Sequence, residues 1–426
     1  MECKDKSWRW PARRTIHILL HCCLLLIVSG CVSLGTGVSG PAAQPDPTSF
    51  SVSPTATPVP LNTDSQIASA LLQRMSLDQK LGQMVISEFN GSTLNADLTK
   101  MVRDYYISGV LIENKNGNAQ NRTQLVNLNK AMQGQATFPL LITTDFEGGF
   151  VNELRQITGE RSSEATIGAT GDPQVAYDAG KRDASDLKKL GLNVNFMPIV
   201  DVLTNPNNPG LIDRTYGNNP ALVTDMGRAY LKGLTSGGIV GSLKHFPGLG
   251  SASVDPHKSL PYMDRSLATM NAVDLVPYRT LIKEGIVPMV MVTHILNPQL
   301  DPKMPTSLSP EVVTDLLRQQ LGFKGVIISD TLWMGGVSNT YDLSHAAVLA
   351  INAGTNLILG PRGLSETATL LSNLKKAVDD GTLALAKIDA SVQLILEMKL
   401  HYKILSRDKA VQFIQNNQPV TPTGNA

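Results

Sequence analysis

The chain has 426 residues, 42% of them hydrophobic and 17% charged, with 37 Lys and Arg against 36 Asp and Glu and a formal net charge of +1. That length and apolar content suffice to bury a large core, and the balanced charge with 5% aromatics argues against nucleic acid as a partner. All four cysteines (Cys3, Cys22, Cys23 and Cys31) fall in the first 31 residues, so the rest of the chain holds neither a disulfide scaffold nor a cysteine zinc site.

Residues 1–31 read as an export signal: Lys4, Lys6, Arg9, Arg13 and Arg14 precede the apolar run Ile16 to Val28. That run is short and interrupted by His17 and His21, which argues against a membrane span. Its end, Val28-Ser29-Gly30-Cys31, resembles the lipobox of bacterial lipoproteins, which implies lipidation at Cys31 and an extracytoplasmic protein held on the membrane by its acyl chains. Residues 32–63, rich in Gly, Pro, Ser, Thr and Ala, cannot bury enough apolar surface to fold and are expected to be a flexible tether. Residues 416–426 have the same character, which leaves 64–415 as the folded body.

Within the body, short apolar runs alternate with helical patterns. The runs are Met84–Ile86, Gly109–Ile112, Leu140–Thr143, Val194–Met197, Gly241–Leu243, Val287–Val292, Gly325–Ile328 and Asn356–Leu359. Intervening helices are predicted at 172–190, opening on Asp172-Pro173, and at 266–284 and 309–321, with a single terminal helix after the last unit. Eight strand–helix units predict a single α/β domain, a (β/α)8 TIM-type barrel, over an open doubly wound sheet. No GxGxxG follows the first run, which counts against a dinucleotide fold.

Polar residues sit where these strands end. Asp145 follows the third run, Lys244-His245 the fifth, His294 the sixth and Asp330 the seventh, all of which would open on the C-terminal rim where barrel enzymes build their sites. After Lys244-His245 a Gly/Pro loop leads to Asp255-Pro256-His257. At that spacing a carboxylate bonded to one imidazole nitrogen orients the ring for proton transfer from the other. A bystander histidine on a polar turn is the alternative. Ser329-Asp330 reads either as a helix N-cap or as a rim carboxylate able to attack an anomeric carbon.

These residues carry a resemblance that spans about Ile67 to Tyr402. The stretch KHFPGxGxxxxDxH from Lys244 to His257 and the strand GVIISD ending at Asp330 resemble glycoside hydrolase family 3, in its single-barrel β-N-acetylglucosaminidase branch. Asp145-Phe146-Glu147-Gly148-Gly149, Asn195-Phe196-Met197-Pro198 with Asp201, and Asp213-Arg214-Thr215-Tyr216-Gly217 support it. The resemblance implies Asp330 as nucleophile, His257 as general acid/base with Asp255 as its partner, and Asp145, Arg214, Lys244 and His245 as holders of the sugar. It implies a retaining exo-β-N-acetylglucosaminidase. An extracytoplasmic anchor makes peptidoglycan fragments or chitooligosaccharides the expected substrates. With seven histidines, no HExxH and no cysteine pair in the body, no metal is expected, nor a cofactor, and the protein is expected to be a monomer. His294 is expected to line the cleft, and Trp333 and Met334 to pack in its wall or the core.

Three departures stand out. Leu249 replaces the family's usual histidine, Pro256 replaces a Ser or Thr between the dyad partners, and Glu153 stands where an arginine is usual, with Arg155 two residues on. Some members of the family resembled here carry a carboxylate acid/base on a second domain; with one terminal helix and a tail expected after the barrel, the His-bearing dyad is expected to serve instead. A non-catalytic sugar-binding lipoprotein on the same barrel remains an alternative, as does a β-glucosidase or glycosyl-transferring enzyme of the same family.

Overall fold

The computed structural model describes residues 61–419. The signal with Cys31, most of the tether and the last residues of the tail lie outside that range. Thr63, at the end of the tether segment, caps the first helix, Asp64–Leu72. Its hydroxyl accepts from the Gln66 N–H while the Gln66 side chain bonds the Thr63 backbone, a reciprocal capping box.

Eight parallel strands follow: β1 (Val85–Glu88), β2 (Gly109–Ile112), β3 (Leu141–Thr144), β4 (Val194–Asn195), β5 (Val240–Phe246), β6 (Met289–Val292), β7 (Val326–Ser329) and β8 (Ile358–Arg362). Each pairs with its sequence neighbour, and β8 pairs with β1. The ring closes through the parallel bridge Ile328↔Leu357 and bonds from Ser329 N to Leu357 O (3.0 Å) and from Leu332 N to Leu359 O (2.9 Å). Residues of β1 to β7 are buried throughout, as expected of strands with side chains inside and helices outside. All eight predicted runs contribute a strand. The fourth is the shortest, because Pro198 has no N–H to continue the ladder.

The Asp172 side chain caps the helix Pro173–Leu190, and Gly191 closes it at φ 81°. This helix lies against Pro220–Ser236 so closely that a Cβ at Gly180 would sit 2.3 Å from Tyr230 O, and one at Gly233 2.2 Å from Tyr177 O. The helix expected over 266–284 is two helices, Leu267–Ala272 and Val276–Lys283. Pro277 cannot donate within a continuous helix but suits a first turn, and the break turns Asp274 inward onto Arg265 (2.7 Å). The segment predicted at 309–321 winds as Glu311–Gln320 with wide i→i+5 turns, ending on a Leu321 N to Leu316 O bond.

After β8, Leu364–Asp379 completes the last unit. Two helices then follow, Leu385–His401 and Arg407–Asn416, where one was expected. Left-handed residues in the connections, Gly381 (φ 77°) and Lys403 (φ 59°), break the run into separate helices. The last helix ties back to the first helix and the residues just after it, through Arg407 Nε to Asp64 Oδ1 (2.9 Å) and Arg74 Nε to Ile414 O (2.8 Å). Leu385–His401 delivers Lys399 to the N-terminal end of the barrel. There its Nζ donates to Gln83 Oε1 (2.8 Å) and Ser108 O (3.2 Å), just before β1 and β2. Among the described residues no helix is long and apolar enough to cross a membrane.

Candidate active site

The C-terminal mouth of the barrel holds a cavity of about 240 Å³ lined by Asp145, Arg214, Lys244, His245, His257 and Asp330. Six residues drawn from five segments meet there because each follows or ends a strand or lies in a rim loop. Asp255 stands behind His257.

Lys244, at 2% exposure, is the buried centre of an ion network. Its Nζ lies 2.6 Å from Asp145 Oδ1 and 2.6 Å from Glu147 Oε1. Arg214 grips Glu147 in a bidentate pair at 2.7 and 2.9 Å and donates to Gly210 O at 3.0 Å. Burial works against the Glu147 carboxylate, but the Arg214 and Lys244 charges outweigh it and hold its pKa at about 2. Burial likewise works against Lys244, and Asp145 with Glu147 still raises it above its ordinary value. Glu147 and Lys244 are therefore both held in their charged forms. Glu147 is the hub of the network, carried by the antiparallel hairpin of Phe146–Gly148 and Val151–Asn152 that leaves β3. It was legible in the sequence only as a motif letter.

A second carboxylate missed as a functional residue is Asp201, fully buried. Its Oδ2 meets His245 Nδ1 at 2.6 Å and accepts from the His245 backbone N–H at 3.1 Å, while Oδ1 accepts from Leu249 N–H at 2.6 Å. This fixes the His245 ring, leaves its Nε2 to the cavity, and pins the loop after β5. Leu249 is 4% exposed and packs in the core, so this departure fills the interior.

Asp330 follows β7 at the base of the cavity. Its Oδ1 accepts from Thr331 N–H (2.8 Å) and its Oδ2 from the Thr293 hydroxyl (3.2 Å). Burial opposes ionisation, but the imidazoles of His294, His245 and His257 bring its pKa below the ordinary aspartate value. It caps no helix: the next one, Gly335–Ser338, has Met334 at its N-cap with no side-chain bond. The N-cap alternative is thus set aside.

His257 is half exposed at the rim. Its Nδ1 lies 2.8 Å from Asp255 Oδ1, which also accepts the His257 backbone N–H at 2.9 Å. Burial opposes the Asp255 charge, and those two bonds nevertheless hold its carboxyl low. The Asp255–His257 loop is docked on the segment after the Asp330 strand, through Gly335 N to His257 O (3.1 Å) and Gly336 N to Pro256 O (3.0 Å). A Cβ at Gly335 would stand 2.4 Å from Lys258 O.

His294 departs from expectation. It is sealed in the barrel wall, with Nδ1 2.7 Å from Ser307 Oγ and Nε2 3.1 Å from Thr331 O. Both nitrogens are taken, and burial lowers its pKa, so it is a structural imidazole rather than part of the cleft lining. Trp333 does line the cavity; Lys115 Nζ sits 4.8 Å over its ring, and its Nε1 donates to Glu88. Met334 is buried. Arg155 turns to Glu160 (3.3 Å) and the Gly149 carbonyl, outside the cavity lining, whereas Glu153 is in it. Among the described residues no group of three or more His, Cys, Asp or Glu is arranged to hold a metal ion.

A closed parallel barrel with charged side chains and an ionised carboxylate gathered at its C-terminal mouth has the layout of a TIM-barrel enzyme. Residues 76–398 match the glycosyl hydrolase family 3 N terminal domain, and the chain belongs to that family. It is 33% identical over 338 residues to beta-hexosaminidase A of Pseudoalteromonas piscicida, covering 72% of this chain and 56% of that one. It is 31% identical over 397 residues to beta-hexosaminidase LpqI of Mycobacterium tuberculosis, covering 91% and 97%. The chain thus spans little more than half of the first relative and nearly all of the second. Among solved structures, the family 3 beta-N-acetylglucosaminidase of a Paenibacillus species superimposes with a TM-score of 0.74 at 32% identity, over 80% of this chain and 68% of that one. A family 3 glycosyl hydrolase of Mycobacterium smegmatis gives 0.71 at 30% identity, over 77% and 98%.

Proposed function

We propose that the protein is a retaining exo-β-N-acetylglucosaminidase, with Asp330 as nucleophile and His257, oriented by Asp255, as general acid/base. The observation that carries this reading is that an ionised Asp330 and a rim imidazole bonded at Nδ1 to a carboxylate share one cavity. In the first step an Asp330 oxygen attacks C1 of the terminal sugar. The C1–O bond to the aglycone breaks, and the His257 Nε2 proton passes to the departing oxygen. In the second, Nε2 takes a proton from water, whose oxygen attacks C1 from the vacated face, freeing Asp330 and retaining the β configuration. Asp145, Arg214, Lys244 and His245 hold the sugar. Ion pairs and hydrogen bonds to one another, to Glu147 and to Asp201 fix them before it arrives, so little ordering remains to be done on binding.

The relatives named beta-hexosaminidase and beta-N-acetylglucosaminidase support the amino sugar as substrate. The lipobox-like Cys31 supports export and anchoring by acyl chains, which makes GlcNAc–MurNAc fragments or chitooligosaccharides the natural substrate class. The test is to trap the glycosyl intermediate with an activated fluorosugar and map the labelled residue. Label on Asp330, with nitrophenyl β-N-acetylglucosaminide cleaved far faster than the β-glucoside, is expected. Label on another residue overturns the nucleophile, and equal rates on the two glycosides overturn the specificity.

A further inference from the structure

Most carboxylates lining the cavity answer to a cation. Asp145 pairs with Lys244, Glu147 with Lys244 and Arg214, and Glu113 with Lys115 at 2.8 Å. Two do not: Asp330, whose charge the proposed chemistry consumes, and Glu153. Among the described residues no lysine, arginine or histidine lies within ion-pair distance of Glu153. Its Oε2 accepts the Asn114 N–H at 2.6 Å, and its own N–H donates to Asp145 O at 3.3 Å, which holds it beside the sugar-facing carboxylates. Partial burial raises its pKa, and the negative charges of Asp145 and Glu147 add to that against the Asn114 N–H and the more distant Lys115. A half-buried carboxylate placed among others without a counter-ion weakens the fold, and the fold obtains one loop hydrogen bond in return. Such a group makes sense where a ligand brings the missing donor.

We propose that Glu153 is a specificity-determining residue: its carboxylate accepts a hydrogen bond from a non-reacting hydroxyl of the terminal sugar and so demands that this hydroxyl be free. A sugar hydroxyl supplies one donor hydrogen, and an ionised carboxylate only accepts, so the two are complementary. A terminal sugar substituted at that oxygen would leave the half-buried carboxylate without its donor, which favours cleavage from the chain end. This assignment rests on the cavity being the sugar site proposed above.

The experiment compares the full-length protein with Glu153→Gln and Glu153→Ala on nitrophenyl β-N-acetylglucosaminide and on its 3-, 4- and 6-deoxy analogues. On the parent glycoside, kcat/KM is expected to fall about 10- to 100-fold in Glu153→Ala and less in Glu153→Gln, which keeps an acceptor. On the one analogue that lacks the bonded hydroxyl, wild type and Glu153→Ala should agree within about twofold, while the other two analogues keep the full difference. The melting temperature of Glu153→Gln should equal or exceed that of the wild type. Equal losses on all three analogues, unimpaired cleavage of the parent, or a fall in melting temperature that accompanies uniform losses overturns the assignment alone. If the wild type cleaves none of these glycosides, the function reading falls and takes this one with it.

Discussion

Lys244 at the mouth of the barrel and Lys399 at its opposite end are both all but sealed from solvent, yet their electrostatics run in opposite directions. Lys244 meets two carboxylates at 2.6 Å, and its charge is held. Lys399 meets only a side-chain amide and a backbone carbonyl, and burial pulls its pKa down to about 7. The same residue type is thus kept charged where charge can bind a ligand, and driven toward neutrality where it only helps close the fold. The mouth of this barrel is built for chemistry and the far end for closure.

Substitutions at the two ends should therefore report on different quantities. The largest effect is expected from Asp330→Asn, which should cut turnover by about 10⁴-fold or more while the far-ultraviolet circular dichroism stays unchanged. Retention of a tenth of the wild-type rate would remove Asp330 from the chemistry. Glu147→Ala leaves Lys244 and Arg214 buried without their shared partner and should cost about 3–5 kcal/mol of stability, read from urea midpoints. An unmoved midpoint would mean that the network does not hold the mouth together. The stabilising effect of Glu147 has a pH signature: its pKa is about 2 in the fold against an ordinary 4.5, so the contribution is complete above 4.5 and is lost only as pH falls toward 2.

His257→Ala should slow glycosides with poor leaving groups by about 10²-fold or more and nitrophenyl glycosides much less, because a phenolate departs with little protonation. A uniform loss would argue against a proton donor. Its half-exposed side chain predicts an unchanged melting temperature. The smallest effect is at the far end. Lys399 binds its proton near pH 7 in the fold and near 10.5 when unfolded, so the unfolded chain holds the extra proton between those values and wild-type stability rises with pH across them. Lys399→Met should therefore melt a few degrees above wild type at pH 6. The gain should shrink from pH 7 to 10, and catalytic rate should not change. A gain independent of pH would show that Lys399 is not the buried base described here.

Much of this was legible in the sequence because it is local. Asp145, Lys244, His245 and Asp330 sit at the ends of apolar runs, so finding the strands found the rim. Asp255 and His257 are two residues apart, close enough for their bond to be foreseen. What escaped was long-range or silent in pattern. Glu147 joins Lys244 across nearly a hundred residues, and Asp201 meets His245 from another strand's loop. A carboxylate in a motif does not announce which cation it will meet. His294 looked like its rim neighbours, and only the serine from thirteen residues away and a carbonyl on the next strand's exit show why it faces inward. The split of the helix over 266–284 could have been read from Pro277, whose missing N–H suits only a first turn.

Gly335 and Gly336 bear no reactive atom, yet through their two bonds to the Pro256 and His257 carbonyls they gauge how far the His257 loop stands from Asp330. The loop and the strand exit are yoked like the jaws of a calliper. A single methyl at Gly335, pressing on the Lys258 carbonyl 2.4 Å away, would pry the jaws apart with all the chemical groups still present. Inactivity in this chain can thus arise from spacing alone, at positions that a search for functional side chains would pass over.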